Sequence, residues 1–205
     1  MNLLSIGLGT LVLFLLAVSL CPAQEKIRTL EHGRYRQYDV ATEPFAIVGR
    51  QLGDKPFINE RQVAGNSDWL SKLILSVKNT SGKSIIAGEI NLIIAKQNNM
   101  SADAAMILRF PIQESVLDGE GKATGEYQYT QPLKPGEVVK VRVPEGQLHI
   151  LDVIKKDGVV DIDSVSVVFI RAIFDDRTSW FQGIEMKEDP NVPGRWIPVS
   201  RRPGD

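Results

Sequence analysis

From Leu73 to Lys78 the chain alternates: Leu73, Leu75 and Val77 share one face, Ile74, Ser76 and Lys78 the other. A period of two marks a strand with one buried face, and it recurs in short runs along most of the chain. Val139, Val141 and Val143 alternate with Lys140 and Arg142. Met106, Leu108, Phe110 and Ile112 fall on one side of their run, and Ile86, Ile90, Leu92 and Ile94 on one side of theirs. Ser164 to Phe174 is apolar on both faces, the pattern of a central strand. Phe45 to Leu52 opens the series and Trp180 to Met186 closes it. Turn chemistry punctuates the runs at Gly53–Pro56, Asn79–Lys83, Pro135–Gly136 and Asp175–Thr178. The runs flanking Asn79–Lys83 read as an antiparallel hairpin, and residues 116–136 as a long loop or a loosely paired ribbon. Only Leu148 to Lys156 has the spacing for one or two helical turns. The expected fold is therefore all-β, an antiparallel sandwich of about seven strands.

Residues 1–23 contain no charged side chain. Leu11 to Val18 has the length and composition of a signal-peptide core, and Cys21 and Ala23 are small residues suited to cleavage after Ala23. Retention as a membrane anchor, or a lipid on Cys21, are the alternatives. The segment lacks a basic start, and Leu20 is a poor residue to precede a lipidated cysteine. Cys21 is the only cysteine, so a chain cleaved there has no disulfide and no thiolate. The expected organisation is a signal peptide over 1–23, an N-terminal leader over 24–44 that adds at most one strand, a sandwich over 45–186, and an irregular proline-rich tail over 187–205. The expected location is periplasmic or extracellular, with membrane contact only if residues 1–23 are retained.

The stretch Leu75 to Ile85, Leu-Ser-Val-Lys-Asn-Thr-Ser-Gly-Lys-Ser-Ile, resembles the first hairpin of immunoglobulin-like domains in exported bacterial proteins of unknown function. Leu133-Lys134-Pro135-Gly136-Glu137 is similar to the Leu-x-Pro-Gly-Glu that precedes a later strand in those domains, and Phe174-Asp175-Asp176 leading into Trp180 is similar to their late turn. The resemblance covers Leu70 to Gly183. It implies an immunoglobulin-like sandwich, and because its motifs are turn and strand chemistry it carries over no catalytic residue.

The residues themselves offer little chemistry. With 24 Lys+Arg against 25 Asp+Glu, the net charge of −1 excludes a general nucleic-acid binder. Gly119 to Gly125 holds three glycines, but at the wrong spacing and with no following helix for a phosphate loop. His32 and His149 are the only histidines, too few for zinc or a triad. Asp175 and Asp176 are adjacent, which suits a turn better than a paired-carboxylate cleft. Asp157, Asp161 and Asp163 are spaced for calcium but lack the loop that would hold it. The two sequons, at Asn79 and Asn99, read as chance occurrences. The expectation is accordingly no catalytic residue, no metal and no cofactor. Trp180, Trp196, Tyr127 and Tyr129 are the ligand-binding candidates, as stacking aromatics; Trp69 is a further exposed-aromatic candidate. The expected role is a non-catalytic structural or protein-interaction domain with an envelope or extracellular protein partner. The alternative is a carbohydrate-binding module gripping a polysaccharide through those aromatics.

Overall fold

A computed structural model describes residues 25–97, 99–110, 113–117, 123–129, 131–159 and 161–199, with 113–117 and 123–129 described by backbone alone. The segment read as a signal peptide, with Cys21, lies outside the described residues. Fourteen strands occur among the described residues: β1 (Lys26–Gly33), β2 (Phe45–Leu52), β3 (Lys55–Pro56), β4 (Gln62–Gly65), β5 (Leu73–Asn79), β6 (Ile85–Ile94), β7 (Ala104–Phe110), β8 (Gln113–Leu117), β9 (Ala123–Tyr129), β10 (Val138–Arg142), β11 (Ser164–Phe174), β12 (Thr178–Phe181), β13 (Ile184–Glu188) and β14 (Trp196–Pro198). One α-helix, α1 (His149–Lys156), links β10 to β11. No helix among the described residues is long and apolar enough to cross a membrane.

The strands form two packed sheets, an all-β sandwich. One sheet runs β10-β5-β2-β3. In the other, β11 is central, as its two apolar faces require. β6 flanks β11 along nearly its whole length and carries β7 beyond it. The opposite side of β11 is shared. β1 pairs in parallel with Ser164–Val168, and β12 pairs antiparallel with Arg171–Ile173. Beyond β1 lies β4, and beyond β12 lie β13 and β14. Set aside those additions and β10-β5-β2 forms one layer and β7-β6-β11-β12 the other. A separate ribbon pairs β8 with β9.

The alternating residues meet between the sheets. Leu75, Val77 and Val141 face Ile90, Leu92, Leu108 and Val167, all buried in one core. Phe45 joins the layers, its ring edge-on to Phe110 at 5.2 Å and to Phe169 at 4.6 Å. Gly88 stands opposite Phe110 in the β6–β7 register, and a Cβ there would overlap the Phe110 ring. The glycine is what lets that ring lie across β6.

Three expectations need correction. β5 and β6 are not a hairpin: β5 lies in one sheet and β6 in the other, and the two do not pair with each other. The loop between them is folded by Asn79, which is fully buried. Its Nδ2 donates to the carbonyls of Lys83 and Leu133, both at 2.8 Å, and its Oδ1 accepts from the amide and hydroxyl of Ser81. That arch stacks the apolar face of β5 on that of β6 instead of laying the strands side by side. It also leaves the Asn79 sequon with no exposed amide. The run from Trp180 to Met186 is two strands, split by a tight turn at Gln182 and Gly183, whose φ values of 47° and 85° suit the twist of a two-residue hairpin. The proline-rich tail contributes β14, which pairs with β13 at Trp196 to Pro198.

The leader adds β1, and its anchorage is ionic. Arg28 is buried at 1% exposure. Its Nε donates to the Gly65 carbonyl at 3.0 Å, and its Nη1 to Asp161 at 2.7 Å, Asp163 at 2.8 Å and the Ile162 carbonyl at 3.2 Å. Asp161 and Asp163 thus hold a guanidinium, not a calcium ion. Trp69 is fully buried beside them and donates its Nε1–H to the same Ile162 carbonyl at 2.7 Å.

Candidate functional site

At the end of the sandwich where β2 begins, three irregular segments enclose a cavity of about 790 Å³. They are residues 37–44, the arch at 80–83, and the β12–β13 hairpin with the end of β11 before it. Residues 37–44 reach this position through a 3-10 turn at Val40–Thr42, capped by the Asp39 carboxylate accepting from the Ala41 amide. Thr80 and Ser81 donate their amides to the Pro44 carbonyl and so fix the arch against the same segment. The third wall depends on Gly183, where a Cβ would collide with Tyr38.

Aromatic rings give the cavity its apolar surface. Trp180, 5% exposed, stands edge-on to Tyr38 at 5.4 Å and to Phe45 at 6.1 Å. Its Nε1, the only polar atom of the side chain, is buried with no acceptor among the described residues. Phe174 adds a second face, with the Lys83 ammonium 5.4 Å from its ring centre.

Two polar groupings line the same space. Glu43, whose side chain is only 8% exposed, accepts at Oε1 from the Tyr38 hydroxyl at 2.9 Å and lies 3.1 Å from His32 Nε2. Burial, then the hydrogen bond and charge of Glu43, push the Tyr38 phenol above its ordinary range, outweighing the opposing charge of Arg34. Tyr38 therefore stays a neutral donor. In the second grouping, Lys83 Nζ lies 2.8 Å from both Asp176 and the Thr178 hydroxyl, and 3.9 Å from Glu185. Partial burial would raise the Asp176 carboxyl, but the bonds from Lys83 and Thr178 hold it below its ordinary value. Asp176 is thereby a turn cap and counter-ion.

Among the described residues no hydroxyl is bonded to either histidine, and His149, exposed at the start of α1, bonds only the Gly146 carbonyl. No group of three or more potential metal ligands occurs among them either.

The stacking candidates are placed separately. Trp180 is in the cavity wall, and Trp196 is half-buried on β14 opposite Glu188. Tyr127 and Tyr129 lie on β9, opposite Ser115 and Gln113, and their side chains are outside what is described. The residues missed by the sequence reading are Tyr38, Glu43 and Lys83. No signal beyond polarity marked them, because their meeting depends on the arch and the 3-10 turn. Comparisons with protein-family models, with curated proteins and with solved structures found no match.

Proposed function

We propose that this chain is an exported, non-catalytic interaction domain that engages a protein partner through the cavity end of the sandwich. The observation that carries the proposal is the cavity itself, a concave site with aromatic walls and a few convergent polar groups, the usual build of a binding pocket. The strand edges support the same direction. A sandwich can bind by adding a partner strand, but the free edge of β7 is occupied: Gln147 accepts from the Ile107 amide and donates to the Ile107 carbonyl at 2.8 Å. On the other sheet, β2 carries a bulge between Ile47 and Gly49. Both devices discourage edge pairing.

The test is site-specific photocrosslinking in the exported protein, with the crosslinking residue at Ala41 on the cavity rim or at exposed Lys140 on β10, outside the cavity lining. A discrete protein adduct from position 41 and none from 140 is the expected result. Adducts from 140 alone, or turnover of a substrate by the purified chain, refute the proposal. The carbohydrate alternative rests on the partly exposed indole of Trp196. It predicts that Trp196→Ala abolishes pelleting with a polysaccharide while the fold survives.

A further inference from the structure

The cavity's charge is one-sided. Asp39, Glu43 and Glu185 contribute three carboxylates to its lining, and Lys83 is the one ammonium there. That ammonium lies closest to Asp176, outside the lining, at 2.8 Å, with Glu185 further off at 3.9 Å. Glu43 uses only Oε1 in its bonds to Tyr38 and His32, leaving Oε2 without a bond among the described residues. Asp39 likewise spends one oxygen on the Ala41 amide, and no lysine or arginine bonds it among the described residues. Beside these acceptors stand the rings of Tyr38, Phe174 and Trp180, with the Arg34 guanidinium 5.7 Å from the Tyr38 ring centre and the Lys83 ammonium 5.4 Å from that of Phe174. An occupant that complements these carboxylates must bring a cation on an apolar stem. Carboxylates beside aromatic faces hold guanidinium and ammonium groups by charge and cation–π attraction together. An arginine or lysine side chain supplies both the cation and the stem.

We propose that the cavity takes an arginine- or lysine-bearing segment of the partner polypeptide, with the basic side chain between Glu43 and Glu185. This rests on the interaction-domain reading above and narrows it to a partner chemistry.

The experiment is calorimetric titration of the purified chain with three capped hexapeptides of glycine and serine. One carries two central arginines, one citrullines in their place, and one glutamates; spermidine is a fourth ligand. The arginine peptide should bind at least about tenfold more tightly than the citrulline peptide, and more weakly as salt rises. Glu185→Gln should weaken it about two- to fivefold, as befits an exposed pair, and Glu43→Gln more. Glu43→Gln keeps an oxygen for Tyr38, and its near-ultraviolet dichroism reports whether the fold survives. Asp54→Asn, at the opposite end of β2, should change nothing. Equal binding of the arginine and citrulline peptides, no binding of either, loss with Asp54→Asn, or spermidine binding as tightly as the peptide each overturns the inference. Adducts from Ala41 together with charge-blind peptides would leave the interaction reading standing and remove only its basic partner. Absence of both would remove the two together.

Discussion

Replacing Arg28 by methionine should cost this fold about 3 kcal/mol, and the structure supplies the reasons. The guanidinium makes four hydrogen bonds from a position with 1% exposure. Removing it takes one bond from the buried Gly65 carbonyl, at roughly 1 kcal/mol. The Ile162 carbonyl keeps its bond from Trp69 and loses little. Asp163, 69% exposed, is solvated in either case and contributes at most about 0.5 kcal/mol. Asp161 is 20% exposed and keeps only Lys26, at 3.0 Å, so its loss is the larger one, about 1–2 kcal/mol. Methionine recovers some ground because burying it carries no charge-desolvation penalty. In urea, with a slope of roughly 2 kcal/mol per molar, the midpoint should fall by about 1.5 M at unchanged slope. Acid gives an independent check through Asp161→Asn. Partial burial raises the Asp161 carboxyl, but the bonds from Arg28 and Lys26 outweigh it and hold the carboxyl below its ordinary value. A depressed carboxyl contributes stability above its unfolded pKa of about 4, and that contribution is lost as pH falls through the folded value. The gap between wild type and Asp161→Asn should therefore be widest near neutrality and close below pH 4. A methionine variant within about 1 kcal/mol of wild type at pH 7, or a gap that does not narrow as pH falls below 4, would refute the reasoning.

Gly88→Ala should lower stability by about 2 kcal/mol and Tm by about 5 °C, because its methyl overlaps the Phe110 ring. Calorimetry reads this directly, and pairing the change with Phe110→Leu should recover part of it. Asn79→Ala removes the four bonds that shape the arch. It should cost about 2–4 kcal/mol in chemical denaturation, whereas Thr80→Ala, with a single bond from its exposed hydroxyl, should cost under about 1 kcal/mol. Gln147→Ala should cost only about 1 kcal/mol but free the edge of β7. Sedimentation velocity should then show concentration-dependent self-association that wild type lacks.

The fold was legible wherever one strand face is apolar. Leu73 to Val77, Val139 to Val143 and Ser164 to Phe174 form strands where their periodicity predicts them, and the two-faced apolar run is the central one. The misreadings share a cause. A period of two says which face of a strand is buried, and not whether the next strand lies beside it or across the core from it. β5 and β6 meet the pattern of a hairpin equally well as an arch, and the decision falls to Asn79, a residue common in both kinds of turn. Trp180 to Met186 kept its alternation in register across Gln182 and Gly183, so nothing in the pattern announced the break. β14 was hidden for another reason: an edge strand of three residues needs no apolar face of its own, only the free edge of β13 to pair with.

The site was less legible than the fold because its walls are the parts of the chain without periodicity. Tyr38 and Glu43 sit in a stretch read as a polar leader, yet its Asp39-capped turn aims both at one space. His32, six positions before Tyr38, belongs to β1, and the parallel pairing of β1 with β11 sets its ring 5.1 Å from Phe169 and its Nε2 against Glu43. Sequence reasoning offered Trp180 as a stacking ligand contact, and the geometry adds a core role: the ring is buried against Tyr38 and Phe45 and still forms the cavity wall. A sandwich can hold such a site at small cost to its stability. The sheets supply the packing, as Phe45 shows by joining both layers, while the arch and the hairpin turn are free to carry charge. Glu43 lies two residues before Phe45, at the point where the chain passes from the cavity end into the core. A change there should alter recognition before it alters the fold, and the Glu43→Gln titration measures that separation.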